Sequence, residues 1–433
     1  MSGIDRRSAL AAVLGLAVPG VVAAQPAEPP SAARSAALEA RVAAAALAAR
    51  LIVRPAGEGF AGPGWDRLLE EGRRAQFFLI GEEHGIAENP RLAGSLFASL
   101  SPAGYERLAL EISPPMATLV GEAARSGVAG LRALFSDPRS RAPFVDLAEE
   151  AAFVASAARV RRPARGGGSG FLWGLDFDLE ADRLLIAALK ARAPRSAGAA
   201  VAALQGASLQ SWARYDATHN PRFIYSFAGD PALVRAVRSA WPDPDPASSW
   251  ILTTLEETLE INALQVAGRG YAANARRSAL IRANFLRYWA LEKASGRAPR
   301  ALIKMGASHM VRGASMVETF DLGSLLPEIA AIEGRPAFSL LVLPGAGAKT
   351  AVFDPSRMRY EAAPPKDHYR DGLSPILDQA AAEGFSLFDM RPLRPILDDR
   401  AERLVSAPLM RVVHGFDAVL VMTGSTPSTN LIG

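Results

Sequence analysis

The residues with the most chemistry in this chain are Gly81-Glu82-Glu83-His84-Gly85, placed directly after the apolar run Phe77-Phe78-Leu79-Ile80. A buried strand that stops at a glycine and then offers two carboxylates and a histidine gives the imidazole a fixed orientation. It can then act as a proton acceptor or as a metal ligand. The chain has only five histidines. Other apolar runs end in the same way: Glu111 closes Leu108-Ala109-Leu110, Asp176 and Asp178 follow Trp173-Gly174-Leu175, and Lys304-Met305-Gly306-Ala307-Ser308 leads to His309. A strand-end acid alone often only caps the next helix. Several titratable groups converging at one sheet edge more often mark a site. Further along, Arg277, Ile281 and Asn284 share one helix face at i, i+4, i+7, with Arg277 and Asn284 about 10 Å apart along the axis. Both could reach one site and hold an oxyanion or a carboxylate. Spacing alone favours the plainer alternative, a surface ion pair for Arg277 and a solvated amide for Asn284.

These residues need a scaffold that gathers strand ends. Candidate strands are 77–80, 108–112, 171–175, 301–305, 339–343, 386–388 and 418–422. Most are continuous apolar runs, as in strands covered on both faces, and helical patterns separate the early ones. The pattern predicts an α/β fold: a mainly parallel central sheet flanked by helices, with sites beyond the strands' carboxyl ends. The Ala-rich stretch from Leu38 to Leu51 predicts a helix. No strand is predicted between Asp176 and Arg300. Five helical stretches (183–193, 197–215, 231–240, 250–267 and 274–293) instead predict a helical insertion, with Pro242, Pro244 and Pro246 breaking two of them apart. The expected organisation is an export signal over 1–24, a leader and helix over 25–60, a first part of the α/β domain over 61–178, the insertion over 179–300, and a second part over 301–433.

Composition narrows the function classes. The net charge of +4 comes from 48 basic and 44 acidic residues and forms no basic block with interleaved aromatics, so no nucleic-acid partner is expected. There is no cysteine, which excludes disulfides, thiolate nucleophiles and Cys-based zinc sites. Arg6-Arg7, the apolar run from Ala9 to Val18 and the small residues Val22-Ala23-Ala24 form an export signal with twin-arginine character, Sec export being the alternative. The mature protein is expected to be periplasmic or secreted, with no stable membrane span. Two near-motifs are set aside. Pro344 to Thr350 imitates a phosphate-binding loop but has Leu343 and Ala348 where that loop needs glycine, and Gly57 to Gly62 matches a dinucleotide pattern between two prolines. Without a Gly-x-Ser-x-Gly elbow, an ordinary serine hydrolase is not expected.

Taken together, Gly81 to Gly85 with Glu88, Arg91 and Leu92 resembles the first motif of the erythromycin esterase-like family. Leu108 to Glu111 resembles its second. Arg277, Ile281 and Asn284 resemble its Arg, Met, Asn helix motif, with Ile in place of Met, and Lys304 to His309 resembles the strand that delivers its late histidine. Phe416 to Val421 is similar to its last strand, so the resemblance spans residues 75 to 425. There are departures: the esterases usually have one more residue between the first glutamate and histidine, and Gly306 stands where they carry an earlier histidine. In having two Gly-x-x-His motifs the chain is similar instead to Tiki and TraB proteins, and its first motif is related to that of ChaN-type haem-uptake proteins.

The resemblance implies a hydrolase acting on an ester, lactone or peptide bond of a small-molecule or peptide substrate. His84 would serve as general base, or His84 and His309 with Glu82 and Glu111 would bind a divalent metal (Mn, Co or Zn). Glu82 and Glu111 would otherwise orient His84, and Arg277 and Asn284 would stabilise an oxyanion. Glu83, Arg91, Asp176 and Lys304 are secondary candidates. The alternative implied by ChaN-type proteins is haem or iron binding without turnover.

Overall fold

The computed structural model describes residues 32–160, 170–365, 372–398 and 404–432. The expected export signal, most of the expected leader and all but the last residue of the loop 163–170 lie outside the described residues. Among the described residues eleven strands run in chain order: β1 Arg50–Ala56, β2 Gly59–Ala61, β3 Phe77–Glu82, β4 Tyr105–Leu110, β5 Leu172–Gly174, β6 Arg300–Gly306, β7 Ala337–Pro344, β8 Thr350–Asp354, β9 Arg359–Ala363, β10 Phe385–Asp389 and β11 Ala418–Met422. Nine of them form one sheet in the order β2-β1-β10-β11-β7-β3-β6-β4-β5, and β8 and β9 form a separate hairpin. The six strands from β11 to β5 are parallel, and β10, β1 and β2 extend the sheet by antiparallel pairing. The predicted α/β fold with a mainly parallel sheet is present.

The continuous apolar runs have a simple cause. Successive side chains of a strand point to opposite faces, and here both faces are covered. Phe78, Ile80, Leu108, Leu110, Leu302, Leu340 and Leu420 pack in one apolar layer. Phe77, Leu79, Ala109, Ile303, Leu341 and Val421 pack in the layer on the other side. β3 is central, with β6 and β7 as its two hydrogen-bonded neighbours.

Several expectations are corrected. The Ala-rich helix stops at Ala48 and the chain turns into β1 at Arg50. Leu51-Ile52-Val53 pair there with Phe385 to Leu387 of β10, so an open sheet edge outweighs weak helix propensity. β4 starts at Tyr105 and ends at Leu110, leaving Glu111 and Ile112 beyond the strand. Between β5 and β6 the described residues form helices joined by short connections and no strand, including Asp182–Lys190, Gly198–Thr218, Pro231–Ala240, Pro246–Val266 and Gly270–Ala294. Pro246 opens a helix rather than ending one: it is the first helical residue after Asp245, whose carboxylate accepts from the Ala247 and Ser248 amides. No helix among the described residues is long and apolar enough to cross a membrane.

Candidate functional site

The carboxyl ends of β3, β4 and β6 meet in a cleft of about 200 Å³ lined by Glu82, Glu83, His84, Glu111, Arg277 and His309 among others. Glu82 ends β3, and its Oε1 lies 3.0 Å from His84 Nδ1. The other ring nitrogen, Nε2, lies 3.4 Å from Glu111 Oε2. His309 mirrors this arrangement. Its Nδ1 lies 2.8 Å from Asp321 Oδ2 and its Nε2 3.6 Å from Glu111 Oε1. Two imidazoles, each held at Nδ1 by its own carboxylate, therefore present their Nε2 atoms to one shared glutamate.

The two pairs come from opposite sides of the sheet. Ile80, two residues before Glu82, packs in the first apolar layer. Met310 and Leu322, which neighbour His309 and Asp321, pack in the second. They meet only past the sheet edge. Gly81 allows this meeting, because a Cβ there would lie 3.0 Å from Met310 Cβ and 3.1 Å from Ala307 Cα. The short helix Ala307–Met310 that carries His309 thus packs directly on β3.

Glu111 is the hub. It accepts from the Gly306 amide at 2.6 Å and from Arg277 Nη2 at 2.7 Å. Arg277 also grips Asp176, its Nε lying 3.0 Å from both carboxylate oxygens, and stacks over the Phe177 ring at 5.0 Å. Burial alone would raise the Glu111 carboxyl, but His84 and His309 beside it hold it well below the usual range. Burial pushes the His84 imidazole down, yet Glu111 and Glu82 outweigh it and raise it to about 10. Burial and Arg277 push His309 down, and Glu111 and Asp321 raise it to about 9.

The other expected residues sort as follows. Lys304 is buried with its Nζ 2.6 Å from Glu82 Oε1 and also bonded to Glu150. Glu83 lines the cleft, and its backbone carbonyl accepts from Asn89. Asn284 does not reach the cleft: its amide donates to the Leu175 carbonyl at 2.9 Å, fixing the main chain just before Asp176. The expectation of an oxyanion donor there is corrected, because two turns beyond Arg277 the helix faces the end of β5 instead. Arg91 lies on the exposed face of helix Glu88–Leu100, away from the cleft lining. Asp178 turns away to the Ser113 amide, and burial raises its carboxyl to about 7.

Three residues were not singled out from sequence. Asp321 caps the helix Leu322–Ile332 through the Leu322 amide while holding His309; an Asp before an apolar run signals a cap, but nothing local signals its bond to His309. Phe144 stacks on His84 with ring centroids 3.8 Å apart and planes within 12°. It has a left-handed backbone, φ 69°, and its amide donates to Tyr360 Oη at 3.0 Å. Glu150 lies in the first turn of helix Ala148–Val160. Nothing local in the sequence marks either of these two.

The residues do not fit the expected metal shell. Among the described residues, the donors close enough together are Glu111, Asp176 and His309, mutually within 4.8 Å. Arg277 bridges two of them, so a fixed cation already stands where a divalent ion would neutralise charge. Glu82 lies on the far side of His84, bonded to Lys304.

No protein-family model and no curated protein sequence matches the chain. Solved structures do. A Bacillus cereus protein shares 13% identity at a TM-score of 0.54, over 90% of this chain and 99% of that one. A succinoglycan biosynthesis protein shares 11% at 0.56, over 91% and 99%. An erythromycin esterase mutant in its open conformation shares 15% at 0.56, over 89% and 98%. The resemblance read in the sequence is thus present as a likeness of fold.

Proposed function

We propose that the chain is a metal-independent hydrolase that cleaves an ester, lactone or related acyl bond. The observation that carries this reading is the facing pair of carboxylate-held imidazoles across Glu111. The likeness in fold to an erythromycin esterase supports it. His84 Nε2 takes a proton from water as the water oxygen bonds to the acyl carbon. Glu82 at Nδ1 holds the ring and steadies the imidazolium that forms. His309 Nε2–H and Arg277 face the oxygen on which negative charge develops. Collapse of the tetrahedral intermediate breaks the acyl–oxygen bond, and His84 returns the proton to the leaving alkoxide. With the export signal read in residues 1–24, the enzyme works in the periplasm or outside the cell.

A panel of p-nitrophenyl esters and lactones tests this. His84→Ala lowers kcat/KM by roughly 10²–10⁴-fold, and EDTA leaves the wild type unchanged. Hydrolysis that survives His84→Ala sinks the proposal. So does a haem Soret band on titration with no hydrolysis of any substrate.

A further inference from the structure

Behind His84 and Glu82 stands a pair of buried charges, Lys304 and Glu150, to which the hydrolytic step assigns no part. Glu82 accepts both of its hydrogen bonds at one oxygen: Oε1 receives Lys304 Nζ at 2.6 Å and His84 Nδ1 at 3.0 Å, while the buried Oε2 has no partner. The carboxylate's hydrogen bonds, and with them the hold on His84 Nδ1, rest on that single oxygen. Lys304 is 3% exposed and Glu150 is 5% exposed, and the two are bonded directly. Sheet register makes the arrangement rigid. Lys304 of β6 lies opposite Ile80 of β3, and Gly306 opposite Glu82. Lys304 and Glu82 therefore project from the same face. The helix Ala148–Val160, carrying Glu150 in its first turn, covers that face through Ala151 and Val154.

We infer that Lys304 and Glu150 are positioning residues, and that the chain Glu150–Lys304–Glu82 fixes His84 with its proton on Nδ1 and Nε2 turned to the cleft. The inference rests on His84 being the reacting group. Lys304 keeps Glu82 charged inside the protein, where a lone carboxylate would take up a proton. A protonated Glu82 could donate to the ring as well as accept from it, and the tautomer would no longer be fixed. Glu150 anchors the ammonium so that it cannot swing away from Glu82.

The test uses the full chain with ¹⁵N-labelled histidine. There are five histidines, so His84 is identified by the signals that His84→Ala removes. In the wild type above the imidazole's titration, the expected pattern is a single neutral form with hydrogen on Nδ1. In Glu150→Gln and Lys304→Met, the Nδ1 and Nε2 shifts move toward each other as the tautomers mix. In the same variants kcat on the best ester falls roughly 10–100-fold with little change in KM, the range seen when an outer partner of a functional histidine is lost. If Lys304→Met does not fold, Glu150→Gln, which keeps size and hydrogen bonding, decides. His84 signals in Glu150→Gln that superimpose on the wild type, or an unchanged kcat, overturn the inference. Should the wild type hydrolyse nothing, the hydrolase reading falls alone, because the nitrogen shifts still report whether the chain holds the ring.

Discussion

His84 and His309 are stronger bases than free imidazoles, because the carboxylates beside each ring stabilise its cation by more than burial disfavours it. With His84 raised to about 10 and His309 to about 9, both are protonated at neutral pH. The mechanism needs one deprotonated and the other charged. The kcat/KM profile should therefore be a bell with its optimum between about 9 and 10 and little activity near neutrality. A plateau reached by pH 7 contradicts this. Gly306 yields a second prediction. Its φ of −54° and ψ of 146° suit any residue, yet a Cβ would lie 2.9 Å from His84 Nε2. Gly306→Ala should fold with a near-native melting temperature and lose activity, and a fully active variant contradicts the placement of His84. In this chain the His84 ring fills the space that a side chain at 306 would need.

At the scale of elements, strand ends were legible because both sheet faces are buried. Unbroken runs such as Phe77–Ile80 and Ala418–Met422 stand out against amphipathic helices. β1 was not legible, since its Leu-Ile-Val core is short and continues an alanine-rich helix. Nor was the hairpin β8–β9, whose residues alternate with polar ones and whose role depends on distant partners. That hairpin clasps the site loop. Gly85 carbonyl accepts from the Ala351 amide of β8 and from Ser428, both at 2.8 Å. Gly85 has φ +81°, and a Cβ there would lie 2.1 Å from the Ala351 carbonyl oxygen. Gly85→Ala should cost roughly 2–4 kcal/mol, from left-handed strain plus the displaced clasp. Chemical denaturation of the variant checks it, and an unchanged midpoint contradicts the clasp.

At the scale of the whole molecule, buried acids give stability a pH dependence. Burial raises Asp146 and Asp182 to about 6, Glu150 to about 7 and Glu180 to about 8. A raised carboxyl binds its proton more tightly folded than unfolded. Its contribution is complete below the unfolded value near 4 and is lost as pH rises through the folded one. The two raised histidines have the same sign, with losses near 9 and 10. Glu82 and Glu111, held low by their cationic partners, act the other way and only in acid. The melting temperature should therefore fall from pH 6 to pH 9.5. A rise over that interval contradicts the burial of these acids. None of this was legible in sequence, where Asp146, Glu180 and Asp182 look like ordinary surface charges.

The central place of β3 also fixes an order of events during synthesis. Phe77 to Glu82 find both hydrogen-bonding partners, β6 from Arg300 and β7 from Ala337, far downstream. Until the ribosome has passed β7, this buried apolar strand has an open edge, an aggregation hazard that a holdase chaperone would need to shield. A chain released before Ala337 should accumulate as insoluble material, while release only after β11, which covers the other edge of β7, should leave the parallel core soluble.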